Sequence, residues 1–210
     1  ARAQEMIVSV RGGGHNVAGK AVCDDGLMID LSPMKGIQVD PAQRMARVEP
    51  GVLWSELDQA TQAFGLATTG GTVSHTGVAG LTLGGGLGWL VATHGLACDN
   101  LLAAELVLAD GRQVTASATE NPDLFWAIRG GGGNFGIVTT FVFRLHPVGP
   151  TVLGGMVLYP VDQAKAVLQF YRDFSANCPD PLTVYAGMIS TPDGLPVVAL
   201  IASWFGAENQ

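Results

Sequence analysis

The sequence predicts a folded domain that mixes short strands with helices, on three observations. Apolar residues make up 48% of the chain and charged residues 14%, a composition that builds a core and excludes a disordered chain. Short strand-like runs fall as hairpins: Ile37 to Asp40 with Met45 to Val48 around Pro41, and Glu105 to Ser117 around Asp110-Gly111, a favoured two-residue turn. Helical spacing appears only in separated segments, and no G-x-G-x-x-G sits in a strand–turn–helix setting, which argues against a Rossmann-type dinucleotide fold.

The elements follow in order. Met6 to Val10 reads as a strand entering a glycine turn at Arg11-Gly12-Gly13-Gly14, and Leu27 to Asp30 as a second. After the first hairpin, Pro50-Gly51 breaks the chain. Leu53 to Phe64 places Leu53, Leu57, Ala60 and Phe64 at helical spacing, and Gly65 ends it. Asn121-Pro122-Asp123 starts a short helix through Ile128, with proline early in the helix, and Gly130 to Gly133 breaks it. Ile137 to Leu145 is rich in β-branched and aromatic residues and reads as a strand. His146-Pro147-Val148-Gly149-Pro150 is the best linker. A strand (Leu153 to Leu158), a helix (Asp162 to Phe174) and two strands joined through Thr191-Pro192-Asp193-Gly194 follow, a piece too small to be a whole domain.

The formal net charge is −7 and no run of Lys or Arg occurs, so the chain lacks the footprint of a nucleic-acid binder. From Gln59 to Cys98 there is no Asp, Glu, Lys or Arg, but ten glycines interrupt that stretch. A membrane helix is therefore excluded, and a buried, loop-rich stretch is expected. Cys23, Cys98 and Cys178 are odd in number and widely spaced, which argues against a disulfide framework or a metal site. No secretory signal is seen. The chain opens at Ala1 without a Met, and a soluble, cytoplasmic protein is favoured.

Glycine is the outlier, 29 of 210 residues, about twice its usual share. Three clusters stand out: Arg11 to His15, Gly84-Gly85-Gly86-Leu87-Gly88, and Gly130 to Gly136. Glycine lets backbone approach a ligand closely, and successive N–H groups in such turns bind phosphate without a basic side chain. Three clusters within one stretch favour a ligand over packed turns. Gly14 to Lys20 has the spacing of a P-loop, but Ala21 follows where magnesium would need a hydroxyl, so an NTPase is disfavoured.

Arg11-Gly-Gly-Gly-His15-Asn16, Gly80-Leu-Thr-Leu-Gly-Gly-Gly-Leu-Gly88, His94-Gly-Leu-Ala-Cys-Asp-Asn100 and Asp123 to Thr139 resemble, in order, four signatures of the berberine bridge enzyme-like flavoproteins of the vanillyl-alcohol-oxidase superfamily, nearest the hydroxynicotine oxidase-like branch. The resemblance covers Val8 to Leu145. It implies a PCMH-type FAD-binding domain of two α+β subdomains over residues 1–147, with its N-terminal part missing. The beginning of an antiparallel-sheet substrate domain follows over 148–210, so the chain is expected to be incomplete. It implies FAD bonded covalently to His15, imidazole being a suitable nucleophile for the flavin 8α-methyl. The second, cysteine link of some members falls at Val73, so a single link is expected.

By the same resemblance, Gly12, Gly13 and Gly14 offer backbone N–H groups to the pyrophosphate, Thr72, Ser74, Gly77 and Gly80 line the flavin and its ribityl chain, and Arg11, Gly84 and Gly85 are further cofactor-binding residues. Ile137 and Val138 contact the cofactor through backbone. His75 is read as a polar loop residue, Trp89 and Trp126 as core, and His94 with Asp99 as a structural hydrogen bond. The family's base lies in a Tyr-x-Asn-type segment without counterpart before Gln210, so no catalytic residue is assigned. The implied activity is an FAD-dependent oxidase taking a hydride from a C–H bond beside a hydroxyl or amine of a sugar, alkaloid or similar small molecule, with molecular oxygen as acceptor and no metal. The alternative is a non-catalytic or incomplete ligand-binding fragment.

Overall fold

The computed structural model describes residues 1–206. The chain divides into two compact units, residues 1–148 and residues from 149 on.

The first unit opens with β1 (Val8–Arg11) and β2 (Leu27–Asp30), which pair in parallel as a small sheet of their own. β3 (Ile37–Asp40) and β4 (Met45–Val48) form the first hairpin. α1 (Trp54–Gln62) follows, its start tied by the Leu53 N–H donating to the Glu56 carboxylate at 2.7 Å. Trp54, Leu57 and Thr61 are its buried face. β5 (Leu66–Ala67), α2 (Val78–Leu83) and α3 (Val91–His94) then lead into β6 (Leu101–Val107) and β7 (Gln113–Ser117). α4 (Pro122–Ile128), β8 (Ile137–Arg144) and β9 (His146–Pro147) complete the unit.

A five-stranded antiparallel sheet in the order β3-β4-β8-β6-β7 organises the core. β8 runs through its middle, with Ala46 opposite Phe143 and Val48 opposite Phe141. Alternation along the pleat sends these four to one face, where they are fully buried with Trp54 and Leu57 of α1. Trp54 lies 6.1 Å from Phe143 between ring centres. Gly70 packs on the Trp54 indole so closely that a Cβ there would lie 2.6 Å from Cε3.

Several expectations need correction. The turn at Asp110-Gly111 is longer than two residues: the ladder closes with the Leu108 N–H donating to the Arg112 carbonyl, and Gly111 takes φ +88. β6 starts at Leu101, four residues before the expected Glu105. The stretch from Gln59 to Cys98 is loop-rich as expected, but it is not loop alone. It holds α2 and α3, because burial of Val78, Ala79, Thr82 and Leu83 outweighs the low helix propensity of glycine. Within the expected linker His146 to Pro150, His146-Pro147 instead forms β9, paired antiparallel with β5, while the two units divide after Val148. The Gln62 side chain fastens that corner by donating to the carbonyls of Leu66 and Val148. Trp126 is 79% exposed rather than core, since α4 turns Phe125 and Ile128 inward instead.

His94 does not bond Asp99, whose carboxylate takes the Leu96 N–H and the Arg129 guanidinium. Its ring instead stacks on His146, 3.9 Å between centres and 6° from parallel. The Asn100 Nδ2 donates to Thr69, to the His94 carbonyl and to the Leu96 carbonyl, leaving its Oδ1 to face His146 Nε2 at 2.6 Å. That network assigns the Nε2 tautomer to a neutral His146. Burial pushes the His146 pKa down to about 4, helped by His94, Arg144 and Arg44; burial lowers His94 as well.

The second unit is one antiparallel sheet with a helix. β10 (Leu153–Pro160), α5 (Ala164–Ser175), β11 (Leu182–Ser190) and β12 (Pro196–Trp204) pair in the order β10-β12-β11. Its turn between β11 and β12 is the expected one, with Gly194 at φ +84. An apolar cavity of about 410 Å³ between α5 and the sheet is walled by residues such as Met156, Phe170, Phe174 and Leu200.

Phe143→Ala should destabilise the first unit by about 3–5 kcal/mol, read as a lowered midpoint in chemical denaturation. For pH the sign is fixed by the depressed pKa. Below 6.5 the unfolded imidazole binds a proton that the folded His146 refuses until about pH 4. Stability should therefore fall as pH drops through that window. His146→Phe, which keeps a stacked ring, should flatten that part of the profile in denaturation curves taken from pH 7 to 4.

Candidate functional site

A groove of about 590 Å³ opens on the first unit, in the size range of small-molecule and cofactor sites. Its walls come from three segments far apart in sequence: β1 with the loop after it, the start of α2 through Gly84, and the glycine turn entering β8.

The backbone contact that joins the first two walls is between Gly13 and Gly77. A Cβ built on Gly13 would collide with the Gly77 backbone, and one on Gly77 would lie 2.5 Å from the Gly13 nitrogen. Only glycine at both positions lets the loops touch. The second loop is held from behind: the Trp54 N–H donates to the Thr76 carbonyl at 3.0 Å and the Ser55 N–H to the Ser74 carbonyl at 2.9 Å. Leu53 bridges to Gly77, and the Val78 N–H donates to the Val52 carbonyl. The N-terminus of α1 is thus the anchor for the middle wall.

Of the residues singled out in the sequence, Gly12, Gly13, Gly14, His15, Gly77, Gly80, Gly84, Ile137 and Val138 line the groove. Arg11, Thr72, Ser74 and Gly85 do not line it. Arg11 reaches Asp30 at 3.7 Å across the small parallel sheet. Thr72 and Ser74 sit exposed on the loop before α2. Gly85 is buried, its carbonyl accepting the Cys98 N–H at 2.9 Å. His15 is exposed at the groove, and its ring lies against His75, 4.6 Å between centres and tilted by 33°.

Residues that sequence reasoning missed complete the walls, chiefly Ser9, Lys20, Thr76 and Asn134. Ser9 is the one buried residue of β1, and its hydroxyl has no hydrogen-bond partner among the described residues. A buried hydroxyl left unpaired is unfavourable unless something fills the groove beside it. Strand phase was the available signal, since alternation along β1 turns Ser9 away from its neighbours. Lys20 supplies the single formal charge of the lining, which contains no carboxylate among the described residues. On a chain of net charge −7, that makes the groove a local exception suited to an anion.

Gly77→Ala should destabilise the unit by about 1–3 kcal/mol through overpacking. Gly80→Ala, whose added Cβ would meet nothing within 4 Å, should be neutral or mildly stabilising. Urea denaturation of the two variants checks the pair, and equal losses would remove the special role of the Gly13–Gly77 contact.

The sequence matches the FAD-binding domain family over residues 1–117. It is 40% identical over 191 residues to an FAD-linked oxidoreductase of Dictyostelium discoideum, covering 91% of this chain and 41% of that protein. It is 42% identical over 152 residues to (R)-6-hydroxynicotine oxidase of Paenarthrobacter nicotinovorans, covering 72% and 33%. Among solved structures, 6-hydroxy-D-nicotine oxidase from Arthrobacter nicotinovorans superposes with a TM-score of 0.90 at 35% identity, over 100% of this chain and 47% of that one. A berberine bridge enzyme-like protein of Arabidopsis thaliana superposes with a TM-score of 0.92 at 28% identity, over 100% and 44%. The chain spans less than half the length of each of these relatives. Among the described residues, no helix is long and apolar enough to cross a membrane. With an FAD-binding domain match over more than half its length and this fold, the chain belongs to the family of FAD-linked oxidoreductases that includes hydroxynicotine oxidase and the berberine bridge enzyme-like proteins.

Proposed function

We propose that the groove holds FAD, bonded covalently and singly through His15, and that the protein is an FAD-dependent oxidase of small molecules with molecular oxygen as acceptor. The observation that carries this reading is the position of His15, in the groove lining directly after the Gly12–Gly14 loop. The residues present fit the group. Gly12 to Gly14 turn bare backbone toward the groove, where successive N–H groups suit a pyrophosphate. Lys20 adds a positive charge and the unpartnered Ser9 hydroxyl a polar contact. Gly80 and Gly84 keep one wall flat, and Ile137 and Val138 close the other with backbone and apolar side chains. Val73, where a second link would need a thiol, offers none.

Bound FAD supplies a two-electron acceptor for a C–H bond beside a hydroxyl or amine. The chain's own part is to hold the ring system, exclude carboxylates from its neighbourhood and offer one imidazole for attachment. The domain reading goes with this: residues 1–147 bind the cofactor and the sheet from residue 148 begins the substrate-facing part. Hydroxynicotine oxidase among the relatives and a glucose dehydrogenase among the solved structures support small polar substrates.

The protein should absorb in the usual flavin range, and its flavin fluorescence should stay on the polypeptide after acid precipitation and in a denaturing gel. His15→Ala should still bind flavin but release its yellow colour on denaturation. Release from the unmodified protein would overturn the covalent reading.

A further inference from the structure

The reading above leaves the His15–His75 ring contact unused. We infer that His75 is a positioning residue for flavin attachment: its ring holds the His15 imidazole in the orientation from which it bonds the cofactor. The inference rests on the reading that His15 carries the flavin.

The geometry treats the two histidines differently. His75 sits within a short turn closed by the Thr76 N–H donating to the Val73 carbonyl at 3.0 Å. The residues on both sides of it, Ser74 and Thr76, accept the first N–H groups of α1 through their carbonyls. Its backbone is therefore fixed to the helix that carries Trp54, the fully buried centre of the core. Among the described residues, His15 has no such support. It follows Gly14, which takes φ +74, and it is exposed. The next fixed point is Asn16, whose side chain accepts the Lys20 N–H at 3.0 Å.

The two rings meet because of the glycine contact below them. His15 lies two residues after Gly13 and His75 two residues before Gly77, and those glycines touch backbone to backbone. The chain directions on either side of that contact bring the side chains together at 4.6 Å. Two aromatic rings at this separation and tilt attract each other modestly, enough to favour one rotamer of an otherwise free side chain. A nucleophile gains from such restraint, because a reacting pair held in line escapes most of the entropic part of its barrier.

The step that benefits is balanced as follows. A bond forms between an imidazole nitrogen of His15 and the 8α carbon, and one C–H bond of that methyl group breaks. The methyl hydrogen and the imidazole N–H hydrogen both leave as protons. The electron pair of the C–H bond remains on the flavin, which ends reduced by two electrons and bound to two protons. Dioxygen removes both electrons and both protons as hydrogen peroxide. His75 need not take part in the chemistry; it acts by fixing the ring that does.

The test expresses the full chain with FAD, as wild type, His75→Ala, His75→Phe and His15→Ala. Two quantities are read on each sample: total flavin per chain before denaturation, and the rate at which flavin becomes resistant to acid release. His75→Ala should bind as much flavin as wild type but attach it on the order of ten- to a hundredfold more slowly. His75→Phe, which restores a ring at the same place without a titratable nitrogen, should recover most of the wild-type rate. A His75→Ala rate equal to wild type, or a His75→Phe rate as low as His75→Ala, would overturn the positioning role while leaving the His15 linkage standing. Complete release of flavin from wild type would overturn both.

Discussion

The contact on which the rest of this unit's groove depends is a backbone-to-backbone touch between Gly13 and Gly77. Neither position tolerates a Cβ. The touch converts two loops that share no strand into adjoining walls, and it sets how far apart everything attached to them lies. One loop leaves a parallel sheet of two short strands, and the other is tied to the start of α1 by three backbone hydrogen bonds, two of which make the Leu53–Gly77 bridge. The precision of the groove is thus borrowed from the buried face of α1, where Trp54 and Leu57 pack on Phe141 and Phe143 of the central sheet. Packing of that density transmits displacement rather than absorbing it.

The electrostatic design is economical. Most of the recognition surface is glycine backbone, so polarity is supplied by peptide groups whose direction the fold fixes. A single lysine stands among them and the carboxylates lie elsewhere, several of them already engaged: Asp30 with Arg11, Glu105 with Arg47, Asp99 with Arg129. An acidic chain can in this way hold an anionic ligand without a basic patch.

How much of this was legible in the sequence depends on the range of the interactions involved. The helix α1, the β3–β4 hairpin and the long strand β8 were readable because their signals are local: helical spacing, alternation, and β-branched enrichment, although α1 runs only from Trp54 to Gln62 and leaves the expected Phe64 outside it and exposed. α2 was hidden, since Gly77, Gly80 and Gly84 suppress every local helix signal and only burial of Val78, Ala79 and Leu83 restores it. β9 was hidden because His146-Pro147 becomes a strand only by meeting Leu66-Ala67, far earlier in the chain. Trp126 misled because size suggests burial, whereas the phase of α4 gives the inside to Phe125 and Ile128. The glycine clusters were readable as groups, but that residues of all three line one groove together with Ser9 and Lys20 is a property of the assembled chain.

Because the groove walls come from segments near residues 9, 77 and 137, no part of it exists in the unfolded chain. Any ligand seated there binds the folded state alone and so raises its stability by mass action, by an amount that grows with the free ligand concentration. An occupant joined to the chain by a bond escapes that concentration dependence. Dilution, dialysis or a shortage of free ligand would no longer unload the site, and the thermodynamic support it lends to the Gly13–Gly77 junction would become a permanent part of the fold.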